Sequence, residues 1–178
     1  MMKLRLFIIL SVVSWAHSVY ADGVKLPVDD PDALLAAIEK AGTKNYPGTT
    51  NPHNAVIDEL LADDHAYNKV LAHIETGDEK WLKVADALGC CVDAGPAEEL
   101  GISIAIALTH SPEPVLRRQS MSSLRDVCTV PLIEPTKAEF EAHVKAVKAA
   151  LQRVKDPALQ EKKMECLKEI NAVHWVQQ

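Results

Sequence analysis

The clearest pattern of hydrophobic and polar positions in the chain lies between residues 140 and 154. Apolar side chains recur there at alternating intervals of four and three residues, and lysine, glutamate and glutamine occupy the other positions. The apolar residues are Phe140, Val144, Val147, Leu151 and Val154. This spacing follows the turn of an α-helix, so it predicts an amphipathic helix with one face on a core. Shorter stripes with similar spacing occur at Val56, Leu60, Val70 and Ile74 and at Cys166, Ile170 and Val173.

Residues 100–108 have a different pattern. Large aliphatic residues alternate strictly with glycine, serine and alanine, which is the period of a strand. We nevertheless predict a helix, because the intervening residues are small rather than polar and Pro96 followed by two glutamates is typical of a helix start. We expect this helix to be central and mostly buried, with Gly101, Ser103 and the alanines allowing close approach of its neighbours.

Short polar residues followed directly by proline mark several helix starts. The polar side chain can cap the first backbone N–H groups, and proline fits the first helical position because its missing N–H has no partner there. These pairs are Asp30-Pro31, Asn51-Pro52, Ser111-Pro112 and Asp156-Pro157, with Gly95-Pro96 as a weaker case. Thr136 and Glu139 match a capping box, and Gly42 and Gly77 stand where a left-handed cap would end a helix.

These starts, stops and stripes predict an all-α protein. We expect a compact, irregular bundle of about eight helices in antiparallel pairs, with a short stack of HEAT-like hairpins as the related alternative. Residues 22–178 are expected to form a single all-helical domain, since a chain of about 150 residues can bury roughly 70% of its unfolded surface.

The first 21 residues have the parts of a secretory signal peptide. Lys3 and Arg5 form a basic start, residues 6–13 are apolar, and a small-residue cleavage site ends at Ala21. The apolar stretch is shorter than the about 20 residues of a membrane-spanning helix. We therefore expect cleavage after Ala21 and a periplasmic location without stable membrane insertion, in preference to a retained N-terminal anchor.

The net charge of the chain limits the kinds of molecule that it is expected to bind. Loss of Lys3 and Arg5 with the signal peptide would take the net charge from −6 to −8. Nucleic acid is not an expected partner, because phosphate binding needs a basic patch and the chain has only short basic pairs. An acidic surface favours association with a basic protein through electrostatic steering.

Four cysteines in an oxidising compartment suggest disulfides, and four cysteines allow three pairings. We predict a bridge between Cys128 and Cys166, which would tie the C-terminal helices to the core. Cys90 and Cys91 are adjacent, so a bridge between them would strain the backbone, and the sequence leaves their state open. The favoured interpretation of this stretch is a simple turn, in which Gly89 ends one helix and Pro96 begins the next.

Sequence motifs of catalysis and metal binding are missing. The chain contains no CxxC, HExxH, GxSxG, Walker or GxGxxG motif, so neither an enzyme nor a cofactor or metal is expected. A weaker hypothesis places a metal between Cys90, Cys91 and His110. Asp63-Asp64-His65 is a dense ionisable cluster, but acidic residues before a helix starting at His65 are explained by the helix dipole.

A long polar turn between the first two predicted helices is the best candidate for recognition. It spans Gly42 to Asn51 and is rich in glycine, proline, asparagine and threonine. Loops on a rigid scaffold often carry binding function, and tyrosine is a favoured interface anchor. The partner-binding residues are therefore predicted to be Asn45, Tyr46, Thr49 and Asn51, against the alternative of an ordinary connecting loop.

The run GDEKWLKVADAL with AEELGISIAIALTHSPEPVL, followed by RDVCTVPLIEP, resembles small periplasmic helical proteins of Gram-negative bacteria. In general design the chain is also similar to the immunity proteins that protect a bacterium from its own type VI secretion effectors. The resemblance implies a non-catalytic protein that covers the active cleft of an effector, such as a cell-wall amidase or similar toxin. A helical scaffold of the cell envelope and a periplasmic metal-handling protein are the alternatives.

Overall fold

A computed structural model describes residues 25–45, 51–118 and 121–175. Within these ranges the chain forms nine α-helices and no strand. The helices are α1 (Pro31–Ala41), α2 (Ala55–Leu61), α3 (Asp64–Glu75), α4 (Glu79–Leu88), α5 (Ala94–His110), α6 (Pro112–Arg118), α7 (Met121–Cys128), α8 (Lys137–Arg153) and α9 (Gln160–Ala172), with a 3₁₀ turn at Pro157–Leu159. The predicted all-α bundle is confirmed, although α2 and α6 have only seven residues each.

Helix α5 lies at the centre of the arrangement. It packs against α3 and α4, which precede it in the sequence, and against α6, α7 and α8, which follow it. Helix α1 packs on α2 and α4, while α9 packs on α7 and α8. A single hydrophobic cluster runs through the described residues from Val28 to Ile170. The helix predicted for residues 100–108 is therefore confirmed, and it occupies the predicted central position.

The small residues of α5, rather than its isoleucines, face the core. Ser103, Ala105 and Ala107 are buried, whereas Ile102, Ile104 and Ile106 are only half-buried. The reason is that α5 is enclosed by five helices, and small side chains let their backbones approach it closely. Gly101 does not follow this expectation, since a Cβ atom placed there would meet no atom within 4 Å.

Most predicted helix boundaries are confirmed. Asp30 caps α1, accepting hydrogen bonds from the backbone N–H groups of Asp32 and Ala33 at 3.1 and 3.0 Å. Asp156 caps the 3₁₀ turn, and Thr136 and Glu139 form the reciprocal capping box at the start of α8. Gly42 and Gly77 end α1 and α3 with positive φ angles of 63° and 72°.

Two predicted starts are wrong. Helix α2 begins three residues after the predicted Asn51-Pro52 pair, because Asn54 supplies the cap. The Asn54 side chain accepts from the N–H groups of Val56 and Ile57 and donates to carbonyl oxygens at the end of α1. Helix α5 begins at Ala94 rather than at Pro96. Proline tolerates this position, since the first turn of a helix has no intrahelical partners for its N–H groups.

Candidate functional site

The predicted recognition loop is only partly described. Tyr46 and Thr49 lie outside the described residues, and Asn45 is exposed. The base of the loop is closed by backbone hydrogen bonds in both directions between Lys44 and His53, each 2.8 Å long. Asn51 is half-buried, and its Nδ2 donates to the carbonyl oxygen of Val92 at 3.3 Å. The loop is thus attached at its C-terminal end to the turn between α4 and α5.

The turn between α4 and α5 contains the two adjacent cysteines. Helix α4 ends at Leu88 with Gly89 as its C-cap, as predicted, and the structure places the sulfur atoms of Cys90 and Cys91 at bonding distance. Cys90 is exposed, whereas Cys91 is 9% exposed and Val92 is 7% exposed. The question that the sequence left open is answered by a disulfide between neighbours. The turn is therefore more than the simple helix boundary that we expected.

The start of α5 is held by Tyr67 from α3. Its hydroxyl donates to the carbonyl oxygen of Pro96 at 2.6 Å, and the residue is 4% exposed. Burial, with a smaller contribution from the charge of Glu99, raises the pKa of Tyr67, so the hydroxyl keeps the proton that it donates. This hydrogen bond fixes the position of the turn relative to α3.

A cleft of about 500 Å³ opens beside this turn, and we call it the α5–α7 cleft. Its lining is mostly aliphatic, and its charged members, Glu98 and Asp126, are both acidic and exposed. The lining residues are Gly89, Val92, Ala97, Glu98, Leu100, Gly101, Ile104, Ser123, Asp126, Val127 and Pro131. Gly101 lines the cleft, and a Cβ atom placed on it would meet no atom within 4 Å, so a larger side chain there has open space to enter.

The α5–α7 cleft brings together features that lie far apart in the sequence. Val92 lines the cleft and accepts the hydrogen bond from Asn51, so the predicted recognition loop ends beside it. Gly89 and Val92 also flank the two adjacent cysteines directly. Asn51 is thus the predicted partner-binding residue that the structure connects to the cleft, while Asn45 lies in the exposed part of the loop.

The two cysteines of the predicted disulfide lie deep in the core. Cys128 ends α7, Cys166 lies in α9, and both are 0% exposed. Their Cα atoms are 5.1 Å apart, inside the usual range of about 4.4–6.8 Å, and their sulfur atoms are at bonding distance. The bridge joins α7 to α9 next to the cleft wall that α7 provides.

The candidate metal ligands do not form a cluster. Among residues 25–45, 51–118 and 121–175, no group of three or more His, Cys, Asp or Glu side chains could hold a metal ion. Asp63 instead caps α3, accepting from the N–H groups of His65 and Ala66 at 3.0 and 3.1 Å. His110 lies at the exposed end of α5, where its carbonyl oxygen accepts a hydrogen bond from Arg153. The hypothesis of a metal at Cys90, Cys91 and His110 gains no support.

Sequence reasoning missed a buried histidine. His143 lies in α8, is 9% exposed, and has a buried Nε2 atom without a hydrogen-bond partner. Burial lowers the pKa of His143, and a hydrogen bond to the backbone of Thr129 opposes this effect. The apolar stripe of α8 contained the signal, because His143 follows Phe140 by three residues and precedes Val147 by four. It faces the core, where burial disfavours the charged form of its ring.

No helix of the described segments is long and apolar enough to cross a membrane. The predicted signal peptide and its cleavage site lie outside the described residues. No known protein family matches the chain, and comparisons with curated proteins and with solved structures found no match either.

Proposed function

We propose that the protein is a periplasmic protein-binding module that neutralises a secreted effector or toxin, in the manner of an immunity protein. The single observation that carries this proposal is the α5–α7 cleft with the recognition loop attached at its edge. A cleft of mostly aliphatic lining with exposed acidic groups suits a partner segment that is apolar in the middle and basic at its borders.

Rigidity of the surrounding scaffold supports a binding role. The turn beside the cleft is held by Tyr67 and Asn51, and the α7 wall is bonded through Cys128 to α9. A surface that is fixed before binding loses less conformational entropy when it binds. The negative net charge of the chain, −6 over all residues, would speed the approach of a basic enzyme.

A protection assay tests the proposed function. Bacterial strains that each export one secreted effector of the source organism to their periplasm should stop growing, and co-expression of the wild-type chain should restore growth against one of these effectors. Gly101→Trp, which fills the cleft, should fail to restore growth, whereas the matched control Gly101→Ala should protect like the wild type. No protection by the wild-type chain would leave the envelope scaffold as the better hypothesis.

The recognition loop is tested separately. Truncating a central aromatic anchor costs about 2 kcal/mol or more of binding, which is roughly thirtyfold in affinity. Tyr46→Ala is therefore expected to weaken the complex by at least about thirtyfold with little change in thermal unfolding. Equal affinity of the wild type and Tyr46→Ala would remove Tyr46 from the interface without affecting the cleft.

A further inference from the structure

The two disulfides of the chain lie in opposite environments. Cys128 and Cys166 are completely buried between α7 and α9, whereas Cys90 is exposed on the turn between α4 and α5. Attack by a thiolate requires that it reaches one sulfur along the line of the S–S bond, so access decides which disulfide reacts. Cys90 offers that access in the folded protein, and the buried pair does not.

Stability does not explain the Cys90–Cys91 bridge. A disulfide stabilises a protein mainly by closing a loop in the unfolded chain, and the effect grows with the length of that loop. Cys128 and Cys166 are 38 positions apart, whereas Cys90 and Cys91 are neighbours and enclose no intervening residue. The neighbouring pair therefore contributes little as a cross-link.

The backbone around Cys90 and Cys91 can change without loss of a helix. Helix α4 ends at Leu88 and α5 begins at Ala94, so both cysteines lie between helices. Cys91 donates one backbone hydrogen bond, to the carbonyl oxygen of Leu88 at 3.0 Å. Opening the bridge would release this short turn while the Tyr67 hydrogen bond to Pro96 keeps the start of α5 in place.

We propose that Cys90–Cys91 is a thiol–disulfide exchange site that accepts two electrons from a dithiol. A thiolate of the dithiol attacks Sγ of the exposed residue Cys90, the S–S bond breaks, and Cys91 leaves as a thiolate that takes a proton from water. The second thiolate of the reductant then attacks its own sulfur in the mixed disulfide. This step releases Cys90 as a thiolate and leaves the reductant as a cyclic disulfide.

Graded reduction of the folded, full-length protein with dithiothreitol tests the proposal. Samples are quenched with acid, labelled with N-ethylmaleimide and digested with trypsin, which separates Cys90 and Cys91 from Cys128 and from Cys166. Thiols of Cys90 and Cys91 should appear at least about tenfold faster than those of the buried pair. Equal rates, faster reduction of the buried pair, or free thiols at Cys90 and Cys91 before reduction would overturn the proposal.

Two single variants identify the attacked sulfur. In Cys91→Ser the exposed Cys90 keeps a free thiol, and in Cys90→Ser the buried Cys91 does. With oxidised glutathione, Cys91→Ser should form a mixed disulfide at least about tenfold faster than Cys90→Ser. The melting temperature of each variant shows that it is folded, and the wild type treated in the same way is the control. Equal rates in folded variants would contradict the assignment of Cys90.

Discussion

Asn54 shows how one side chain can set the relation between two helices. It is 1% exposed, its Nδ2 donates to the carbonyl oxygens of Ile38 and Gly42 at 2.9 and 3.0 Å, and its Oδ1 caps the start of α2. Asn54→Ala would remove this cap from the buried N–H groups of Val56 and Ile57, together with the two hydrogen bonds that the side chain donates to the end of α1. We expect it to lower the free energy of unfolding by about 2 to 3 kcal/mol, measured by urea denaturation.

Asp30→Ala is the matched control for this prediction. Asp30 caps α1 with the same two-bond pattern, but it is exposed and holds no second helix. Its loss should cost about 1 kcal/mol, because water replaces the missing acceptor. Equal losses in the two variants would show that the buried donations of Asn54 contribute nothing to stability.

Two glycines should respond in opposite ways to alanine. Gly77 has a φ angle of 72°, and a Cβ atom there would lie 2.5 Å from the Cβ atom of Ser111. Gly77→Ala should therefore lower the free energy of unfolding by at least about 2 kcal/mol, since it combines left-handed strain with a clash. Gly101 lies inside α5 with open space around it, so Gly101→Ala should raise stability by about 0.5 to 1 kcal/mol. Chemical denaturation of both variants checks the contrast, and a stabilised Gly77→Ala would contradict it.

At the scale of elements, composition and local chemistry predicted where helices form. The start of α1 at Pro31 and the capping box of α8 depend on residues three or four positions apart, so the sequence alone contained them. The start of α2 could not be predicted in this way. Asn54 caps α2 because the end of α1 lies next to it in space, and Asn51 is used instead to bond Val92.

Which residues of α5 face the core is also determined by tertiary contacts, so the sequence alone could not predict it. Strict alternation of isoleucine with small residues gave no helical stripe. Five helices surround α5, and they can pack closely only where its side chains are small. Ser103, Ala105 and Ala107 therefore face the core, and Ile104 lines the cleft. Sequence predicted that α5 is central, but not which of its residues would form a site.

Glu113 connects α6 to the segment between α8 and the 3₁₀ turn. Its Oε1 accepts from the backbone N–H groups of Lys155 and Asp156 at 2.7 and 3.1 Å. These hydrogen bonds hold the pKa of Glu113 below its usual value of 4.5, so the stability that they supply is present above pH 4.5. It is lost as the pH falls through the lowered pKa.

Glu113→Gln should therefore be less stable than the wild type at pH 7, and the difference between their melting temperatures should shrink as the pH falls below 4.5. Scanning calorimetry between pH 7 and pH 3 measures this difference. Glu59→Gln, at an exposed position of α2, is the matched control for the substitution itself. A difference that stays constant with pH would contradict the role of the carboxylate.

The bridge between α7 and α9 is a further property of elements. Its cysteines are 38 positions apart, and closing a loop of that length contributes about 4 kcal/mol in the chain-entropy description. The double variant Cys128→Ala, Cys166→Ala should lose about that amount in guanidinium denaturation. The matched variant Cys90→Ala, Cys91→Ala should lose much less, and equal losses would show that loop closure is not the source of the stability.

At the scale of the whole molecule, the candidate site was predictable only in part. Sequence pointed to the Gly42 to Asn51 loop and to the turn with Cys90 and Cys91 as separate features. Their meeting at the α5–α7 cleft depends on the hydrogen bond from Asn51 to Val92 and on the placement of α7 opposite α5. Neither follows from a local pattern, because the hydrogen bond joins residues 41 positions apart and the placement of α7 depends on the packing of whole helices.

Titration calorimetry of residues 22–178 with each secreted effector of the source organism tests the proposed function most directly. The account predicts a one-to-one complex, an affinity at least about thirtyfold weaker for Gly101→Trp, and an affinity like that of the wild type for Gly101→Ala. Tryptophan has a higher helix propensity than glycine, so the Gly101→Trp chain should still fold while its side chain fills the cleft. Absence of binding would contradict the function, and equal affinity of the wild type and Gly101→Trp would contradict the α5–α7 cleft as its site.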